Sequence, residues 1–323
     1  MTGGFGFLGS HVVDELVKNP QTHVEVVDNL VTSPLNLEKY ISHLGNPSNL
    51  SYSICSVSQY VNELSNESFD QIYHLASVVG PAGVLPHGGR IARSIIDDAQ
   101  SILELALSCG ARLVDVSTSE IYGGGKEGLC VEDAPKIVPG ETSIRLEYAV
   151  GKLASEVALA NMCVVHGLNA VIVRPFNISG PRQSGRGGFV LPRFISQALK
   201  GEPLTVFGDG KQVRAFTHVQ DMADGLIKAM QHGCSGEAYN IGNPANRTTI
   251  LELAERVIRK LDSSSEISFV DPKTLYGPLY AEAHDKYPDA SKAMRQLGWQ
   301  PQFSIEDTVV DAHEEMATNR VTD

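Results

Sequence analysis

The run Thr2-Gly3-Gly4-Phe5-Gly6-Phe7-Leu8-Gly9 constrains the fold of this chain more than any other feature. It holds G-x-G-x-x-G at Gly4, Gly6 and Gly9 and leads directly into a helical pattern over Phe7–Lys18. Glycines so placed permit a tight turn, let backbone N–H groups approach a pyrophosphate, and seat the following helix close on a sheet with its positive end toward the anion. The motif alone is a weak signal. It gains weight from Val24-Glu25-Val26-Val27-Asp28, a strand that ends in a carboxylate about 20 residues further on, where an acid takes the ribose 2′-hydroxyl of NAD. Asp28 would repel a 2′-phosphate, so NAD is expected over NADP. One feature does not fit: a strand normally precedes the glycine loop at the centre of this fold, and only Met1 and Thr2 stand before it. Either strand residues precede Met1 or the protein does without them.

Apolar short runs alternate with helix-length amphipathic stretches through the first two thirds of the chain, the pattern of a doubly wound parallel sheet buried on both faces. Strands are expected at His23–Val27, Ser51–Ile54, Gln71–Leu75, Arg112–Val116 and Ala170–Val173, and helices at Phe7–Lys18, Ile91–Ser108 and Ser143–His166. After Arg174-Pro175 the texture becomes Gly- and Pro-rich, with helices expected at Val190–Lys200, Val219–Gln231, Ile250–Leu261 and Ala290–Leu297, and Ala238–Ile241 returning to the sheet. The expected fold class is α/β: a Rossmann-type doubly wound parallel sheet with a smaller C-terminal substrate-binding domain. Residues 1–175 form the NAD-binding domain, with 212–245 returning to it, and 176–211 with 246–323 form the substrate domain.

A length of 323 residues with 42% apolar content can bury a full core. The net charge of -12 argues against nucleic acid as a partner, because a phosphate-binding surface needs an excess of Lys and Arg. An anionic ligand therefore needs locally placed donors. Cys55, Cys109, Cys130, Cys163 and Cys234 form no CxxC pair and the histidines show no HExxH spacing, which points to a reducing cytoplasm and no metal. No apolar run near the ~20 residues that span a bilayer is seen, so no membrane partner is expected.

Ser117-Thr118-Ser119-Glu120-Ile121-Tyr122-Gly123 follows the strand Arg112–Val116, which sets its hydroxyls and carboxylate at the carboxyl end of the sheet, where ligands of open α/β folds bind. Tyr148-Ala149-Val150-Gly151-Lys152 places a phenol and an ammonium on one helical face. A positive Lys152 and a pyridinium would lower the Tyr148 pKa, so that the phenolate takes a hydroxyl proton while hydride leaves to NAD. Lys152 would also hold the cofactor ribose, and Thr118 would bond the reacting hydroxyl. An ordinary surface Tyr and Lys is the bland alternative; the glycine loop and the Ser-Thr-Ser-Glu turn in this order disfavour it.

At these residues the chain resembles the extended short-chain dehydrogenase/reductase family, and within it the nucleotide-sugar epimerases, dehydratases and decarboxylases. The resemblance runs nearly end to end. It is carried by Gly3 to His11, Val26 to Asn29, Tyr73 to Ser77, Ser117 to Gly123, Tyr148 with Lys152, Arg174 to Asn177, Gly180 to Arg182, Gly201 to Gly208, Arg214 to Asp221, Tyr239 to Asn243 and Leu297 to Pro301. It implies NAD contacts from Gly3, Gly6, Phe7, Leu8, Gly9, Asp28, Asn29, Leu75, Ala76, Ser117, Tyr148, Lys152 and Pro175. It implies catalytic roles for Thr118, Ser119, Glu120, Tyr148 and Lys152. For the nucleotide sugar, expected as a UDP-sugar, it implies Asn177 at the diphosphate, Arg214 at a phosphate, the Leu204–Phe207 segment along the base, and further contacts from Val190, Arg193, Thr205, Phe207 and Lys286. Arg182 and Arg186 are left open between ligand contact and a solvated loop.

The resemblance implies transient oxidation at sugar carbon 4. Glu120 looks like the decarboxylases of UDP-glucuronate and like the 4,6-dehydratases, whereas simple 4-epimerases carry a small or hydroxyl residue there; a structural acid remains the alternative. The second half resembles the UDP-glucuronate decarboxylases most, with departures: Lys286 stands where an arginine would meet the substrate carboxylate, Ser56 where an aspartate contacts adenine, and Ile95 where an asparagine is common. Val78 to His87, expected to face the sugar, matches no substrate class. A dehydratase or a 4-epimerase is the alternative, and a non-catalytic NAD sensor is disfavoured because Tyr148 and Lys152 are both present. Ile95, Ile96, Ile102, Leu103, Leu153, Val157 and Ala160 give two helices more apolar surface than one sheet face requires, and corresponding helices in related enzymes pair across a two-fold axis, so a homodimer is expected.

Replacing Asp28 by Ser should relax the preference for NAD over NADP. Titration of both cofactors checks this, and tighter binding of NADP by the unmodified protein would contradict the assignment.

Overall fold

Short runs dense in β-branched residues form the main sheet, because such side chains pack well on a pleated surface covered on both faces. In the computed structural model, the described residues are all but 66–67, 81–82, 124–126, 137, 139–141, 186–187, 278–279, 281–284 and 319–323. The strands Leu50–Ile54, Val24–Asp28, Gln71–His74, Arg112–Val116, Ala170–Pro175 and Ala238–Ile241 follow one another across the sheet, with every direct pairing between them parallel. Residues Met1 to Gly3 occupy the slot between Val24–Asp28 and Gln71–His74. Thr2 bridges Val27 on one side and His74 on the other, with Thr2 N–H donating to Tyr73 O at 2.9 Å and Val27 N–H to Met1 O at 2.8 Å. A two-residue ladder thus stands where the fold sets its central strand. The chain winds outward from this slot in one direction and then in the other, which makes its carboxyl end the topological switch point at which such sheets bind ligands.

One face of the sheet packs on the helices Phe7–Leu16 and Val219–His232 through Val12, Tyr73, Val114, Val171, Met222 and Leu226. The other packs on Ile91–Cys109 and Ile144–His166 through Ile72, Leu113, Ile172, Ile102 and Leu159. Beyond it, Leu191, Phe194, Leu204, Phe216, Leu253 and Val309 form a separate core between the helices Val190–Lys200, Ile250–Lys260 and Ile305–Thr318. The last of these helices was not foreseen, although Ser304 and Asp307 form a reciprocal cap at its start: Asp307 N–H donates to Ser304 Oγ and Ser304 N–H to Asp307 Oδ2. Leu37–His43 and Val57–Glu63 were also missed, each only seven residues long.

Arg174 ties these parts together from inside. Its guanidinium grips Glu156 with bonds of 2.9 and 2.6 Å and reaches Tyr122 Oη at 2.7 Å, while Tyr122 donates to Asn240 Oδ1 at 2.7 Å. Losing one partner of such a buried pair costs about 3–5 kcal/mol, because the other charge is left uncompensated. The helix Ile144–His166 corrects the expectation that no apolar run approaches membrane-spanning length: by length and composition it qualifies. Its buried face nevertheless carries Lys152, Ser155 and Glu156, which bond within the protein.

Candidate active site

A cavity of about 490 Å³ opens at the switch point. Its floor is the glycine loop. Gly3 has φ +70, and a Cβ there would lie 2.7 Å from Ala76 N; a Cβ on Gly9 would lie 2.0 Å from Gly3 O. The helix Phe7–Leu16 begins at Gly6 with no side-chain cap, so its first N–H groups have no side-chain partner at the end that faces the cavity. Gly3, Gly6, Phe7, Leu8 and Gly9 line the space, whereas Gly4 packs under the Val26 side chain. The glycines that face a ligand are therefore spaced three apart, a correction to the motif as first read from Gly4.

Asp28 ends its strand beside the loop but does not line the cavity: its two carboxylate oxygens accept Phe5 N–H at 3.0 Å and Leu30 N–H at 2.8 Å. Burial raises its pKa, and those two bonds oppose the rise. Asn29 is exposed and accepts Val31 N–H, and Ala76 N–H is turned toward Thr2 Oγ1; neither lines the cavity. Leu75, Ser117 and Pro175 do.

The catalytic candidates meet in this cavity. Ser117 Oγ is buried with no hydrogen-bond partner among the described residues, and Thr118 Oγ1 accepts Glu120 N–H at 3.1 Å. Tyr148 lies buried against Val84, Ile91 and Ile95. Ile95 in place of an asparagine thus gives the phenol an apolar wall. Burial pushes the Tyr148 phenol above its ordinary value; a bond with Thr118 opposes this, while Glu120 and Asp115 add to it. The expected lowering by Lys152 is not seen in the chain alone. The Lys152 ammonium, buried at 3% exposure, donates to Val116 O at 2.7 Å.

Glu120 is the centre of an ionic cluster. Its carboxylate bonds Arg145 Nη1 at 2.7 Å and also the ammonium of Lys286. Burial by itself would raise the Glu120 pKa, but the two cations override it and hold the carboxyl well below the usual carboxylate range. Arg145 was missed in the sequence, though its place three residues before Tyr148 sets it on the same helical face. Lys286 is itself buried, and its backbone N–H donates to Val213 O at 3.1 Å beside Arg214.

At the far end, Asn177 has φ +33 and its buried Oδ1 has no partner among the described residues. The Arg193 guanidinium stacks on Phe207 at 3.9 Å, and Val190 and Arg214 complete the wall. Thr205 is not part of it; its hydroxyl and N–H bond Gln197, and Leu204 and Val206 are fully buried, so of the segment expected along the base only Phe207 reaches the cavity. Arg182 is no solvated residue: it pairs with Asp14 at 2.8 Å, while Arg186 lies outside the described residues. Val79, Gly80, Gly83, Val84 and Leu85 line the cavity as expected of that segment, of which 81–82 are not described. Ser56 caps the helix Val57–Glu63 through Gln59 N–H. Among the described lining residues, Arg145, Lys152, Arg193, Arg214 and Lys286 face one carboxylate, Glu120, so the cavity is cationic in an acidic protein.

The family model described as the NAD dependent epimerase/dehydratase family matches residues 1–242. The UDP-N-acetyl-alpha-D-glucosaminuronate decarboxylase of Bacillus cytotoxicus is 35% identical over 308 residues, covering 95% of this chain and 93% of the relative. UDP-glucuronic acid decarboxylase 3 of Arabidopsis thaliana is 35% identical over 309 residues, covering 94% of this chain and 84% of the relative. The solved structure of UDP-glucuronic acid 4-epimerase from Bacillus cereus in complex with UDP-glucuronic acid and NAD has a TM-score of 0.82 at 27% identity, covering 98% of each chain. The matched region contains the glycine loop, Asp28, the Ser117–Glu120 turn and the Tyr148–Lys152 pair, and on these grounds the chain belongs to the NAD dependent epimerase/dehydratase family of nucleotide-sugar enzymes.

Proposed function

We propose that this enzyme acts on a nucleoside-diphosphate hexuronate, with UDP-glucuronate as the reference substrate, and removes carbon 6 as carbon dioxide after oxidation at carbon 4. The observation that carries this reading is the cluster of Arg145 and Lys286 on Glu120. Two cations on one carboxylate leave a net positive charge, which complements a substrate carboxylate and gives a neutral hexose no ionic partner. A carboxylate held this firmly in its charged form is also a weak base, and dehydration would require it to take a proton from carbon 5. Decarboxylation makes no such demand. The names of the relatives from Bacillus cytotoxicus and Arabidopsis thaliana agree with this choice.

The glycine floor, the uncapped helix start and the lone Ser117 Oγ fit a bound dinucleotide. Bound NAD would accept the carbon 4 hydride and later return it. In this reading Tyr148, as the phenolate that Lys152 and a bound pyridinium would favour, takes the carbon 4 hydroxyl proton, Thr118 holds that hydroxyl, and Lys152 holds the ribose. With a ketone at carbon 4, the bond between carbons 5 and 6 breaks, its electrons move into the ketone as an enolate, and carbon dioxide leaves. Water protonates carbon 5, and Tyr148 returns its proton to the oxygen on carbon 4 during reduction. Asn177, Arg193, Arg214 and Phe207 would hold the nucleotide diphosphate. Residues 1–175 with most of 212–245 would serve the cofactor, and 176–211 with 246–323 the nucleotide sugar, joined there by Arg214 on the strand paired with Arg247–Thr249. The five free cysteines suit a reducing cytoplasm. Epimerisation of the same uronate at carbon 4 is the second reading, favoured by the likeness to the Bacillus cereus epimerase.

The assembly in this reading is a homodimer. Val150, Val157 and Val164 are exposed at seven-residue spacing on the helix Ile144–His166, with Leu153 and Ala160 between them, and Ile96 and Leu107 are exposed on the adjoining helix Ile91–Cys109. Apolar residues at alternating spacings of three and four form a seam suited to a helix of a second copy.

Incubation with UDP-glucuronate should release carbon dioxide and give a UDP-pentose by mass spectrometry; a product of unchanged mass would favour the epimerase, and loss of water the dehydratase. Lys286→Met should raise KM for the uronate by about tenfold or more, the worth of one charge-assisted hydrogen bond. Tyr148→Phe should abolish NADH formation while NAD still binds. Glu120→Gln should weaken uronate turnover and lower stability by about 2 kcal/mol, since it leaves two cations without their partner, as a thermal melt would show. Light scattering at micromolar concentration should give a dimer mass, and a monomer would contradict the seam.

A further inference from the structure

Beneath the cavity lies a buried carboxylate that the reaction above does not use. Thr2, His74 and Asp115 stand side by side on three neighbouring strands, paired in register, so their side chains share one face of the sheet. Thr2 Oγ1 and His74 Nδ1 lie 2.7 Å apart. Asp115 is 4% exposed, and its Oδ2 has no hydrogen-bond partner among the described residues. The next residue along the strand, Val116, supplies the carbonyl that takes the Lys152 ammonium. Lys152 and Asp115 are thus brought to the same buried corner from a helix and a strand.

An ammonium taken out of water loses its proton unless a counter-charge faces it. Several groups surround Lys152. Glu156, one turn along the same helix, is committed to Arg174 by two bonds. Asp98, on the helix Ile91–Cys109, is crowded by Asp97, and burial lifts its pKa to about 6. His74 is kept neutral, pushed down to about 3 by burial first and by Lys152 and the amino terminus after it. Tyr148, raised by burial, carries its proton in the ligand-free chain and so supplies no negative charge to Lys152 there. Burial lifts Asp115 to about 6 as well, but Lys152 is the first charge that opposes this rise, and Asp115 is buried beside Val116 whereas Asp98 is only partly buried.

We propose that Asp115 is a positioning residue, the buried counter-ion that keeps Lys152 charged and oriented for the redox step. This inference rests on the reading of Tyr148 and Lys152 as the redox pair. Asp115 does not line the cavity; it acts through Lys152. The sign of its effect follows from charge. Removing the carboxylate lowers the pKa at which Lys152 gives up its proton, so activity fails at a lower pH on the alkaline side. Asp115 also opposes formation of the Tyr148 phenolate, so its loss moves the acid limb downward as well. A packing defect would instead lower the rate equally at every pH.

The test is single-turnover NADH formation from UDP-glucuronate in the NAD-loaded enzyme over about pH 6 to 10, with thermal melts, for the parent, Asp115→Asn, Asp115→Ser and Asp115→Glu. The two neutral variants should show an alkaline limb about one pH unit lower, which is about tenfold less activity at the alkaline end, with a rate near neutrality close to the parent. Asp115→Glu should restore the limb. Coincident profiles would overturn the proposal, as would a uniform loss of rate at all pH values. So would failure of both neutral variants to fold while Asp115→Glu folds, since Asp115 would then serve structure alone. Failure of the underlying reading is distinguishable: NADH formation by Tyr148→Phe, or none by the parent, would show it without any Asp115 variant.

Discussion

The carboxylate of Glu120 bonds two cations that come from distant parts of the chain: Arg145 from the helix that bears Tyr148, and Lys286 from the segment that runs on into the short strand Tyr287–Pro288. That strand pairs with Leu129–Cys130, and Lys286 itself hangs from Val213, so one carboxylate links the cofactor side of the cavity to the side proposed for the nucleotide sugar. The same arrangement fixes the electrostatics. Glu120 is neutralised by one cation and outnumbered by the second, so the corner nearest Tyr148 carries positive charge in a protein whose net charge is -12. Steering by the whole protein therefore disfavours anions, and the local field reverses that preference in the corner proposed for the substrate.

That corner depends on the sheet beneath it. The two-residue ladder at Met1 and Thr2 holds Val24–Asp28 and Gln71–His74 apart at the spacing of a full strand, which opens the switch point where the glycine loop turns. A Cβ at Gly9 would collide with Gly3 O, so the loop is closed upon itself before any ligand arrives. Binding energy is then free to order the ligand instead of the protein. Arg174 and Glu156 serve the same end from below, fixing the helix of Tyr148 and Lys152 to the strand that carries Pro175.

Much of this was legible in the amino-acid sequence. Periodicity gave the strand at Arg112–Val116 to the residue and the helix Ile91–Cys109 to within one, because each must bury a continuous apolar stripe. The glycine loop, the Ser117–Glu120 turn and the Tyr148–Lys152 pair were visible as local spacings. What escaped was set by contacts between residues far apart. Nothing near Glu120 in the sequence shows that Lys286, more than a hundred and sixty residues on, shares its charge. Thr205 stood in an expected segment, yet Gln197 occupies its hydroxyl and N–H. The Tyr148 phenol was expected to be lowered by Lys152 together with a pyridinium; in the chain alone burial dominates, and Lys152 is turned to Val116. The Ser304 and Asp307 cap was readable and went unread.

The central claim is that the corner formed by Glu120, Arg145 and Lys286 recognises a carboxylate. Calorimetric binding of UDP-glucuronate and of UDP-glucose to the NAD-loaded Tyr148→Phe protein tests it most directly, because no turnover obscures the affinities. The account predicts that the uronate binds at least about tenfold more tightly, the worth of one charge-assisted contact, and that the difference shrinks as salt is raised. Equal affinity for the two sugars, or tighter binding of the neutral one, would contradict it.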